Sequence, residues 1–434
     1  MKVLKFGGTS VGSPQRIKNV ASLISSRGRN IVVLSAMSGT TNSLLQISCA
    51  LQAGDSPKAS EILSELHGRY IGVMEELLKP GVQKDEAEKI VTGIFHEIET
   101  LVKNPFTRQT EKEIVAKGEL ISTNLMHRYL HEQGVNAQLV PALDFMRLNQ
   151  KGEPDLEKIS RLLHGKLDPE AHLYITQGFI CRNANGEVDN LERGGSDYTA
   201  SILGAVSGAE EVEIWTDIDG MHNNDPRFVE DTAPVRNLHF EEAAELAYFG
   251  AKILHPTCIL PAKLANVPVR LLNTMEPEAE GTLINNSLQR GSIKAVAAKD
   301  NITAIKIKSG RMLLAYGFLK KVFEVFEKYR TPIDMITTSE VGVSLTIDNV
   351  ENLQQIVEEL EKFGTVTIDR DMVIICVVGD LEWQNRGFEA SALEALRNVP
   401  VRMISYGGSN YNISFLIRKE DKVKALKLLS YHLF

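Results

Sequence analysis

The first residues able to do chemistry follow the apolar run in "MKVLKFGGTS". Val3, Leu4 and Phe6 are typical of a short buried strand, and Gly7 and Gly8 follow it directly. Two adjacent glycines give the backbone access to positive φ and leave no Cβ in the way of a ligand. By itself the pair is also explained by an ordinary tight turn, and the stretch has neither the GxxxxGK[ST] pattern nor the GxGxxG spacing of nucleotide-binding loops. It indicates a turn that a ligand can approach closely.

A second pair of glycines stands in "LERGGSDYTA", residues 191–200. Asp197 falls in the first turn of the helix predicted to follow, where backbone amide groups attract anions. Ser196 could be a plain N-cap. That explanation leaves Arg193 and the two glycines without a purpose, so the stretch predicts an anion site at the start of a helix.

Other stretches carry polar groups that also have plain structural explanations. In "WTDIDGMHNNDPR", residues 215–227, Asp217 and Asp219 could bind Mg²⁺ or ribose hydroxyls, but such stretches after strands are usually turns. Lys252 in "FGAKILHP" ends a predicted helix, where a lysine commonly complements the helix dipole. Glu119 in "KGELIST" lies in a helical run, where the plain alternative is a solvated carboxylate. None of these stretches identifies a site alone.

The elements that would position these residues are short apolar strands alternating with helices, up to about residue 290. The strands include "NIVVLS", "AHLYITQGF", "EVEIWTD" and "VPVRLL". Nearly all-apolar strands separated by helices predict a parallel sheet that is covered on both faces. Between residue 56 and about residue 104 the strands vanish and apolar residues recur at every fourth position, which predicts a helical excursion from the sheet.

Past about residue 290 the pattern changes to two shorter βαββαβ-like units. Residues 331–348 and 399–418 share a Pro-led strand, a polar turn and an alternating strand, which indicates an internal duplication. We predict a first domain over residues 1–290, a first small unit over residues 301–370, and a second over residues 292–300 plus 371–434. One unit is then inserted inside the other.

Composition excludes several classes of protein. The chain of 434 residues is 43% hydrophobic, enough for two or three domains with cores. No apolar run approaches the roughly 18–20 residues that cross a bilayer, so we expect a cytoplasmic protein without membrane contact. The net charge of −8 without a basic block argues against nucleic acid. We expect small-molecule partners, and a core position for each of the widely spaced cysteines Cys49, Cys181, Cys258 and Cys376.

Together and in this order, the motifs resemble the amino-acid kinase family and, within it, the aspartokinases. The resemblance rests on "KFGGTSV", "GE..S", "RGGSDYTA", "TD.DG…DPR" and "FGAK.LHP", and it covers essentially the whole chain. The C-terminal units resemble the paired ACT domains of the family, which bind amino-acid effectors. The helical excursion and "ITTSEV" resemble the lysine-sensitive monofunctional branch. The fold this implies is α/β, with an amino-acid-kinase-type parallel-rich sheet covered by helices, followed by two α+β ACT-like domains.

The resemblance implies ATP-dependent phosphorylation of the β-carboxylate of L-aspartate to 4-phospho-L-aspartate, the first step of lysine, threonine and methionine biosynthesis. A carboxylate is already nucleophilic, so the reaction needs charge neutralisation and alignment rather than a strong base. Mg²⁺ would be carried by the nucleotide, with no metal ligands from the protein. The alternatives are a kinase for another acidic amino acid, which the ACT-like units disfavour, and a catalytically inactive amino-acid-sensing protein. Intact Lys5, Arg193 and Asp197 disfavour the latter.

The resemblance also implies roles for single residues. Lys5 and Asp197 match the catalytic positions, Arg193 would clamp the α-carboxylate of aspartate, and Glu119 would receive its α-ammonium group. The implied substrate-binding residues are Ser35, Thr41, Glu119, Arg193 and Ser196. The implied ATP-binding residues are Lys5, Gly7, Gly8, Thr9, Ser10, Thr216, Asp217, His222, Arg227 and Lys252.

One nucleotide position departs from the family, which usually has a tyrosine where this chain has His222. An imidazole can still stack on a nucleotide or hydrogen-bond to it. We therefore expect altered ATP affinity more than lost activity.

The first ACT-like unit is implied to hold an effector, L-lysine or a related amino acid. Backbone amides between Met312 and Leu319 would hold its carboxylate, and Asp334 would meet an ammonium group, although a lone aspartate on an apolar strand otherwise faces solvent at an edge. The implied effector positions are Met312, Ala315, Gly317, Leu319, Ile333, Asp334 and Ser339. Relatives have histidine and serine at Leu314 and Ala315, so we expect weaker effector binding. The expected assembly is a homodimer through the ACT domains, with pairing into tetramers left open.

Overall fold

The computed structural model describes residues 1–191, 194–250, 255–309 and 316–434. Predictions on Arg193, Lys252, Met312, Leu314 and Ala315 lie outside the described residues. The chain divides into two compact units. Unit 1 comprises Met1–Gly220 and Leu254–Asn286, and unit 2 comprises Met221–Ile253 and Ser287–Phe434.

The elements are numbered along the whole chain. The strands are β1 (Lys2–Phe6), β2 (Asn30–Leu34), β3 (Ala137–Leu139), β4 (Leu173–Gln177), β5 (Ile180–Arg182), β6 (Val188–Asn190), β7 (Val212–Thr216), β8 (Asn237–His239), β9 (Val269–Asn273), β10 (Thr282–Asn285), β11 (Ile293–Lys308), β12 (Ile336–Ser339), β13 (Gly342–Ile347), β14 (Thr365–Gly379), β15 (Val401–Tyr406) and β16 (Asn412–Arg418). The helices are α1 (Pro14–Ser25), α2 (Thr40–Gln52), α3 (Ser56–Leu77), α4 (Val82–Lys103), α5 (Arg108–Glu132), α6 (Ala142–Phe145), α7 (Leu156–His164), α8 (Gly195–Ser207), α9 (Phe240–Phe249), α10 (Leu260–Leu264), α11 (Phe318–Lys328), α12 (Leu353–Leu360), α13 (Phe388–Ala395) and α14 (Lys422–Leu433), with short 3₁₀ helices over Pro256–Ile259 and Lys419–Asp421.

The central sheet of unit 1 is parallel-rich. Its strands follow the order β3-β4-β2-β1-β7-β9-β10, and every pair from β3 to β9 is parallel, while β10 is antiparallel to β9. All residues of β2 and β4 are buried, as expected for strands covered by helices on both faces. The α/β fold predicted for this part of the chain is confirmed.

The helical excursion of unit 1 consists of α3 and α4. Asp55 caps α3 by accepting a hydrogen bond from the backbone amide of Lys58. Tyr70 of α3 and Phe95 of α4 are buried, with their rings 5.9 Å apart, in a core that also includes residues of β1 and β2. These two helices lie within residues 56–104, where the excursion was predicted, and they share the hydrophobic core of the central sheet.

Unit 2 contains one antiparallel sheet, in the order β12-β13-β11-β14-β16-β15. Its long strands β11 and β14 pair with each other along their whole length. The pairing register shifts between Lys299 and Ala304, and Asn301 and Asp371 have positive φ. Helices α11 and α12 pack with one half of the strands, and α13 and α14 pack with the other half. The predicted α+β fold of ACT type is confirmed.

Three of the four cysteines occupy the predicted core positions. Cys181, Cys258 and Cys376 are buried, but Cys49 is exposed, so the expectation for that residue is wrong. Helix α2 buries Leu44 and Ile47, and the 3.6-residue period turns Cys49 to the opposite side. No helix among the described residues is long and apolar enough to span a membrane.

Helix α8 packs so closely in unit 1 that the position of Gly204 has no room for a side chain. A Cβ there would overlap the side chain of Val212 at the start of β7. Gly72 of α3 has no atom within 4 Å of an added Cβ.

We predict that the same substitution acts in opposite directions at these two glycines. Gly72→Ala should stabilise the protein by about 0.5–1 kcal/mol, since alanine restricts the unfolded chain and favours helix. Gly204→Ala should destabilise it by about 1–3 kcal/mol, because overpacking outweighs that gain. Urea and thermal unfolding of both variants would measure this, and a gain at Gly204 would contradict the packing of α8.

Candidate active site

The functional candidates of unit 1 lie where the parallel strands end. Strand β1 has β2 on one side and β7 on the other, and the carboxyl ends of all three point to the same edge of the sheet. The amide of Gly7 donates to the carbonyl of Trp215 at 3.3 Å, and the amide of Ser38 donates to the carbonyl of Gly8 at 3.1 Å. Such a crevice at the carboxyl ends of strands is the usual ligand site of an α/β sheet.

The first pair of glycines is required by close packing. Neither Gly7 nor Gly8 has a positive φ, so this turn does not need the left-handed backbone conformation that glycine permits. A Cβ on Gly8 would instead lie 2.8 Å from the carbonyl oxygen of Ala36. The absence of a side chain lets the loop after β1 lie against the loop after β2.

The second pair of glycines makes the turn into α8. Gly194 and Gly195 have φ values of 71° and 48°, and Gly194 is the N-cap residue of the helix. A glycine cap has no side chain to bond the first amide groups, which leaves them for other acceptors. Asp197 lies in the first turn, as predicted. The explanation of Ser196 as a plain N-cap is wrong, because its hydroxyl accepts a hydrogen bond from that of Ser35 at 2.9 Å.

The structure brings the two predicted catalytic residues together. The ammonium group of Lys5 on β1 lies 2.6 Å from Oδ1 of Asp197 on α8, and both side chains are mostly buried. Because low solvent exposure reduces screening, this pair interacts more strongly than a surface ion pair.

A cavity of about 340 Å³ opens beside these residues. It is lined by Gly8, Ser35, Ala36, Met37, Ser38, Gly39, Thr41, Asn42, Glu119, Phe179, Gly195 and Ser196. The substrate positions predicted within the described residues, Ser35, Thr41, Glu119 and Ser196, therefore face one space. Its size is in the range of small-molecule sites.

Glu119 is the most unusual group in this cavity. Glu119 is only 3% exposed, so the alternative of a solvated helix carboxylate is wrong. Oε1 accepts a hydrogen bond from the amide of Ala36 at 3.2 Å, whereas Oε2 is buried and has no hydrogen-bond partner in the described part of the chain. Burial raises the pKa of Glu119 to about 7. A cationic ligand group would supply the missing partner.

Gly118 lets α5 bring Glu119 this close. A Cβ on Gly118 would lie 2.8 Å from that of Ala36 and 3.3 Å from the Thr40 methyl group. The glycine beside Glu119 in "KGELIST" thus has a packing purpose that the helical pattern does not reveal.

Several residues that line the cavity were not predicted from the sequence. Phe179 is the clearest, since it lines the space with a φ of 67°, which is rare for an aromatic residue. Gly178 precedes it, and a Cβ there would overlap Ser196. A Gly-Phe pair directly after the apolar strand β4 was the available signal. Met37, Ser38 and Asn42 carried none.

The nucleotide positions of unit 1 lie at the same strand edge. Thr216 ends β7, and its hydroxyl donates to Asp217 at 3.1 Å. The hydroxyl of Ser10 is 2.7 Å from that of Thr274 and turns towards the sheet, so it braces the glycine loop. The carbonyl of Thr9 accepts from Arg16 at 2.6 Å. Contact of any of these with ATP stays a prediction.

Two further nucleotide positions belong to unit 2. Nδ1 of His222 is 2.9 Å from the hydroxyl of Thr232. Arg227 donates to Asp225 from Nε at 2.9 Å and from Nη2 at 2.6 Å, and although burial opposes the change, these bonds lower the pKa of Asp225. Lys252 lies outside the described residues.

One predicted effector position of unit 2, Asp334, is a carboxylate that is already paired. The Asp334 side chain is 1% exposed, so the alternative of a solvent-facing aspartate is wrong. It lies 2.6 Å from the Lys299 ammonium group and accepts from the Tyr248 hydroxyl at 2.9 Å, while Asp348 contacts the same ammonium at 2.9 Å. Burial raises the pKa of Asp334, against the effect of Lys299. An effector ammonium group would have to share or displace Lys299.

The remaining described effector positions lie around the same sheet. Gly317, with a φ of 80°, is the N-cap residue of α11, and Leu319 follows in the first turn. Ile333 packs at the edge of the core, and Ser339 is exposed at the end of β12. Their contact with an effector stays a prediction.

Comparison with known proteins places this geometry in a family. Residues 1–273 match the amino acid kinase family, and residues 375–433 match an ACT domain. The fold of residues 1–273 is that of an amino acid kinase.

Full-length relatives narrow the class. The chain is 34% identical over 449 residues to lysine-sensitive aspartokinase 3 of Escherichia coli K12, covering 100% of this chain and 99% of the relative. It is 34% identical over 462 residues to chloroplastic aspartokinase 1 of Arabidopsis thaliana, covering 100% and 80%. The chain belongs to the amino acid kinase family and, within it, to the aspartokinases, which confirms the resemblance read from the motifs.

Solved structures of aspartokinases have the same fold. E. coli aspartokinase III in complex with aspartate and ADP matches over 100% of both chains, with a TM-score of 0.83 at 34% identity, and its complex with lysine and aspartate gives the same values. The aspartate kinase of Clostridium acetobutylicum matches over 100% of both chains, with a TM-score of 0.89 at 25% identity.

The buried Glu119 predicts a pH dependence of stability. Its pKa is about 7 in the folded protein against 4.5 for an ordinary glutamate, so the folded state holds the proton more tightly. The stabilisation is present below pH 4.5 and is lost as the pH rises to about 7. Relative to Glu119→Gln, the free energy of unfolding of the wild type should fall by about 3 kcal/mol across this window. Urea unfolding at several pH values measures it, with the half-exposed Glu99→Gln as control; a constant difference would contradict the assignment.

Proposed function

We propose that the cavity of unit 1 binds L-aspartate and that the adjoining strand edge transfers the γ-phosphoryl group of ATP to its β-carboxylate. The observation that carries this proposal is the buried, half-unpartnered carboxylate of Glu119 facing the same cavity as Ser35, Thr41 and Ser196, next to the Lys5–Asp197 pair. Full-length similarity to aspartokinases supports this substrate over another acidic amino acid and over an inactive sensor.

Aspartate would be held through its α-groups. Glu119 would receive the α-ammonium, which supplies the charge partner that its buried Oε2 has not found within the described residues. Arg193 would clamp the α-carboxylate as a fork, and the hydroxyls of Ser35, Thr41 and Ser196 would complete the pocket. The β-carboxylate then points towards the phosphoryl donor.

The transfer step needs neutralisation more than proton abstraction. An oxygen of the β-carboxylate forms a bond to the γ-phosphorus of ATP while the bond from that phosphorus to the bridging oxygen of ADP breaks. Lys5 and the amide of Gly8 would stabilise the negative charge on the transferring group, since the amide of Gly7 already donates to Trp215, and Asp197 would hold the Lys5 ammonium in place. No proton moves in this step.

In unit 1 the nucleotide would lie on the β7 side of the edge, with Thr9, Ser10, Thr216 and Asp217 as its contacts. His222, Arg227 and Lys252 remain further proposed ATP-binding residues. We propose that Mg²⁺ arrives on the nucleotide, since Mg²⁺ in phosphoryl-transfer sites is held largely by substrate phosphates and water. When bound, the ion supplies charge neutralisation at the phosphates.

We predict that Lys5→Met and Asp197→Asn each lower kcat for aspartate phosphorylation at least about a hundredfold without unfolding the protein, because both act on the transition state. A coupled assay for ADP release, with circular dichroism as the check of folding, measures this. Lys2→Met is the matched control, since Lys2 pairs with Glu211 and Glu213 at the other end of β1 and should leave kcat unchanged.

The same assay tests the substrate. Aspartate should be phosphorylated, and glutamate or N-acetylglutamate should not. Preference for either competitor would overturn the proposed substrate, and absence of all activity in the wild type would favour the inactive sensor.

We propose further that the chain is regulated through its C-terminal part, with the catalytic domain over residues 1–290, one ACT-like domain over 301–370 and the other over 292–300 plus 371–434. The shifts near residues 299–304 and the positive φ at Asp371 support these boundaries. The expected effector is L-lysine, and the expected assembly is a cytoplasmic homodimer through the ACT-like domains, with tetramers left open.

We predict that lysine inhibits the kinase and that Asp334→Ala weakens the inhibition about ten- to a hundredfold, as loss of a bond to a charged ligand costs about 1.5–3 kcal/mol. Asp348→Ala is the matched control, because it removes the other carboxylate that contacts Lys299 while its side chain is 41% exposed. Titration of lysine, threonine and methionine against each variant measures this. Equal effects of the two substitutions would assign the change to Lys299 rather than to the effector.

A further inference from the structure

The loop that forms one wall of the cavity is bonded to the helical excursion. This wall, residues 35–41, comprises the loop after β2 and the first two residues of α2. Nη2 of Arg69 on α3 donates to the carbonyl of Ser38 at 2.7 Å. The hydroxyl of Tyr70, the next residue of α3, is 2.7 Å from that of Thr40.

These two contacts differ in kind. Arg69 is exposed and reaches the loop from the surface, whereas Tyr70 is fully buried and packs against Phe95. A buried hydroxyl costs free energy unless it is hydrogen-bonded. Breaking the Tyr70–Thr40 hydrogen bond would therefore leave a buried polar group unpaired, which disfavours other positions of Thr40. Burial also raises the pKa of Tyr70 to about 12, so its hydroxyl keeps its proton at neutral pH.

The other side of the same wall is bonded to α5. The amide of Ala36 donates to Glu119 at 3.2 Å, and the hydroxyl of Ser122 donates to the carbonyl of Ser35 at 2.8 Å. The first half of the wall is thus set by α5 and the second half by α3. Within the second half, Gly39 has a φ of 83°, which gives the loop its turn into α2.

Residues on both sides of that turn line the cavity. Thr41 and Asn42 line the cavity in the first turn of α2, while Arg69 and Tyr70 do not line it. Arg69 and Tyr70 can therefore affect the cavity only through Ser38 and Thr40, the residues to which they bond.

We infer that Arg69 and Tyr70 are positioning residues for aspartate, which hold the turn from Ser38 to Thr40 so that Thr41 faces the substrate. This inference rests on the proposed function of the cavity. It gives the helical excursion an indirect part in substrate recognition, although α3 has no residue on the cavity surface.

Kinetics of Tyr70→Phe and Arg69→Met test the inference. Each variant should raise the KM for aspartate about two- to tenfold, the range set by one hydrogen bond, and should leave the KM for ATP unchanged. The matched controls are Tyr174→Phe, which removes a buried hydroxyl bonded to the carbonyl of Asp168, and Lys18→Met, which removes a cation bonded to the carbonyl of Glu76. Neither control should change either KM.

A double-mutant cycle separates positioning from general stability. Thr40→Val removes the partner of Tyr70, and Thr40→Ser keeps a hydroxyl there. The double variant of Tyr70→Phe and Thr40→Val should raise the KM for aspartate no more than the larger single effect, and Thr40→Ser should stay near the wild type.

Equal rises in the two KM values, or an unchanged KM for aspartate beside a lowered Tm, would overturn the inference. If Tyr70→Phe does not fold, the KM for aspartate and the KM for ATP of Arg69→Met decide, because Arg69 is exposed. Glu119→Gln provides the separate check on the proposed function: if it leaves the KM for aspartate unchanged, the cavity is not the aspartate site. If it raises that KM while the α3 variants behave like their controls, only the positioning inference fails.

Discussion

The parallel pairing of β1 with both β2 and β7 is the constraint on which the site depends. It sets the ends of three strands side by side, so that the glycine loop after β1 touches the loop after β2 and the end of β7. The reaction has to hold two anions that repel each other, and a single strand edge offers amide groups and Lys5 to both of them. A shift of one residue in β1 would turn Lys5 to the opposite face of the sheet.

Close approach of backbones is the second requirement of the site. The loop after β2 lies between Gly8 on one side and Gly118 on the other, and an added Cβ at either glycine would lie 2.8 Å from an atom of Ala36. These glycines therefore control distances rather than turns. Glu119 reaches the cavity only because α5 lies this near, and its burial follows from the same packing.

The sequence predicted the fold well where one physical pattern dominates. Apolar strands between helices predicted the parallel sheet, and the four-residue period predicted α3 and α4, because burial alone selects both patterns. It also predicted that Lys5 and Asp197 belong to one site, through the motifs around them. The bond between Ser35 and Ser196 and the cavity position of Phe179 depend on which loops meet in space, which no local pattern contains. Local reasoning was wrong about the solvation of Glu119 and Asp334 for the same reason.

The exposed Cys49 is a site at which the unaltered protein can be labelled chemically. The other thiols are buried, and burial raises the pKa of Cys181 and Cys258 to about 12, so little reactive thiolate forms there. A maleimide dye should therefore attach to α2 alone, at a position about 15 Å along the helix from the cavity wall at Gly39. Fluorescence of the labelled protein could then report changes around this helix as ligands bind and leave, without any introduced cysteine.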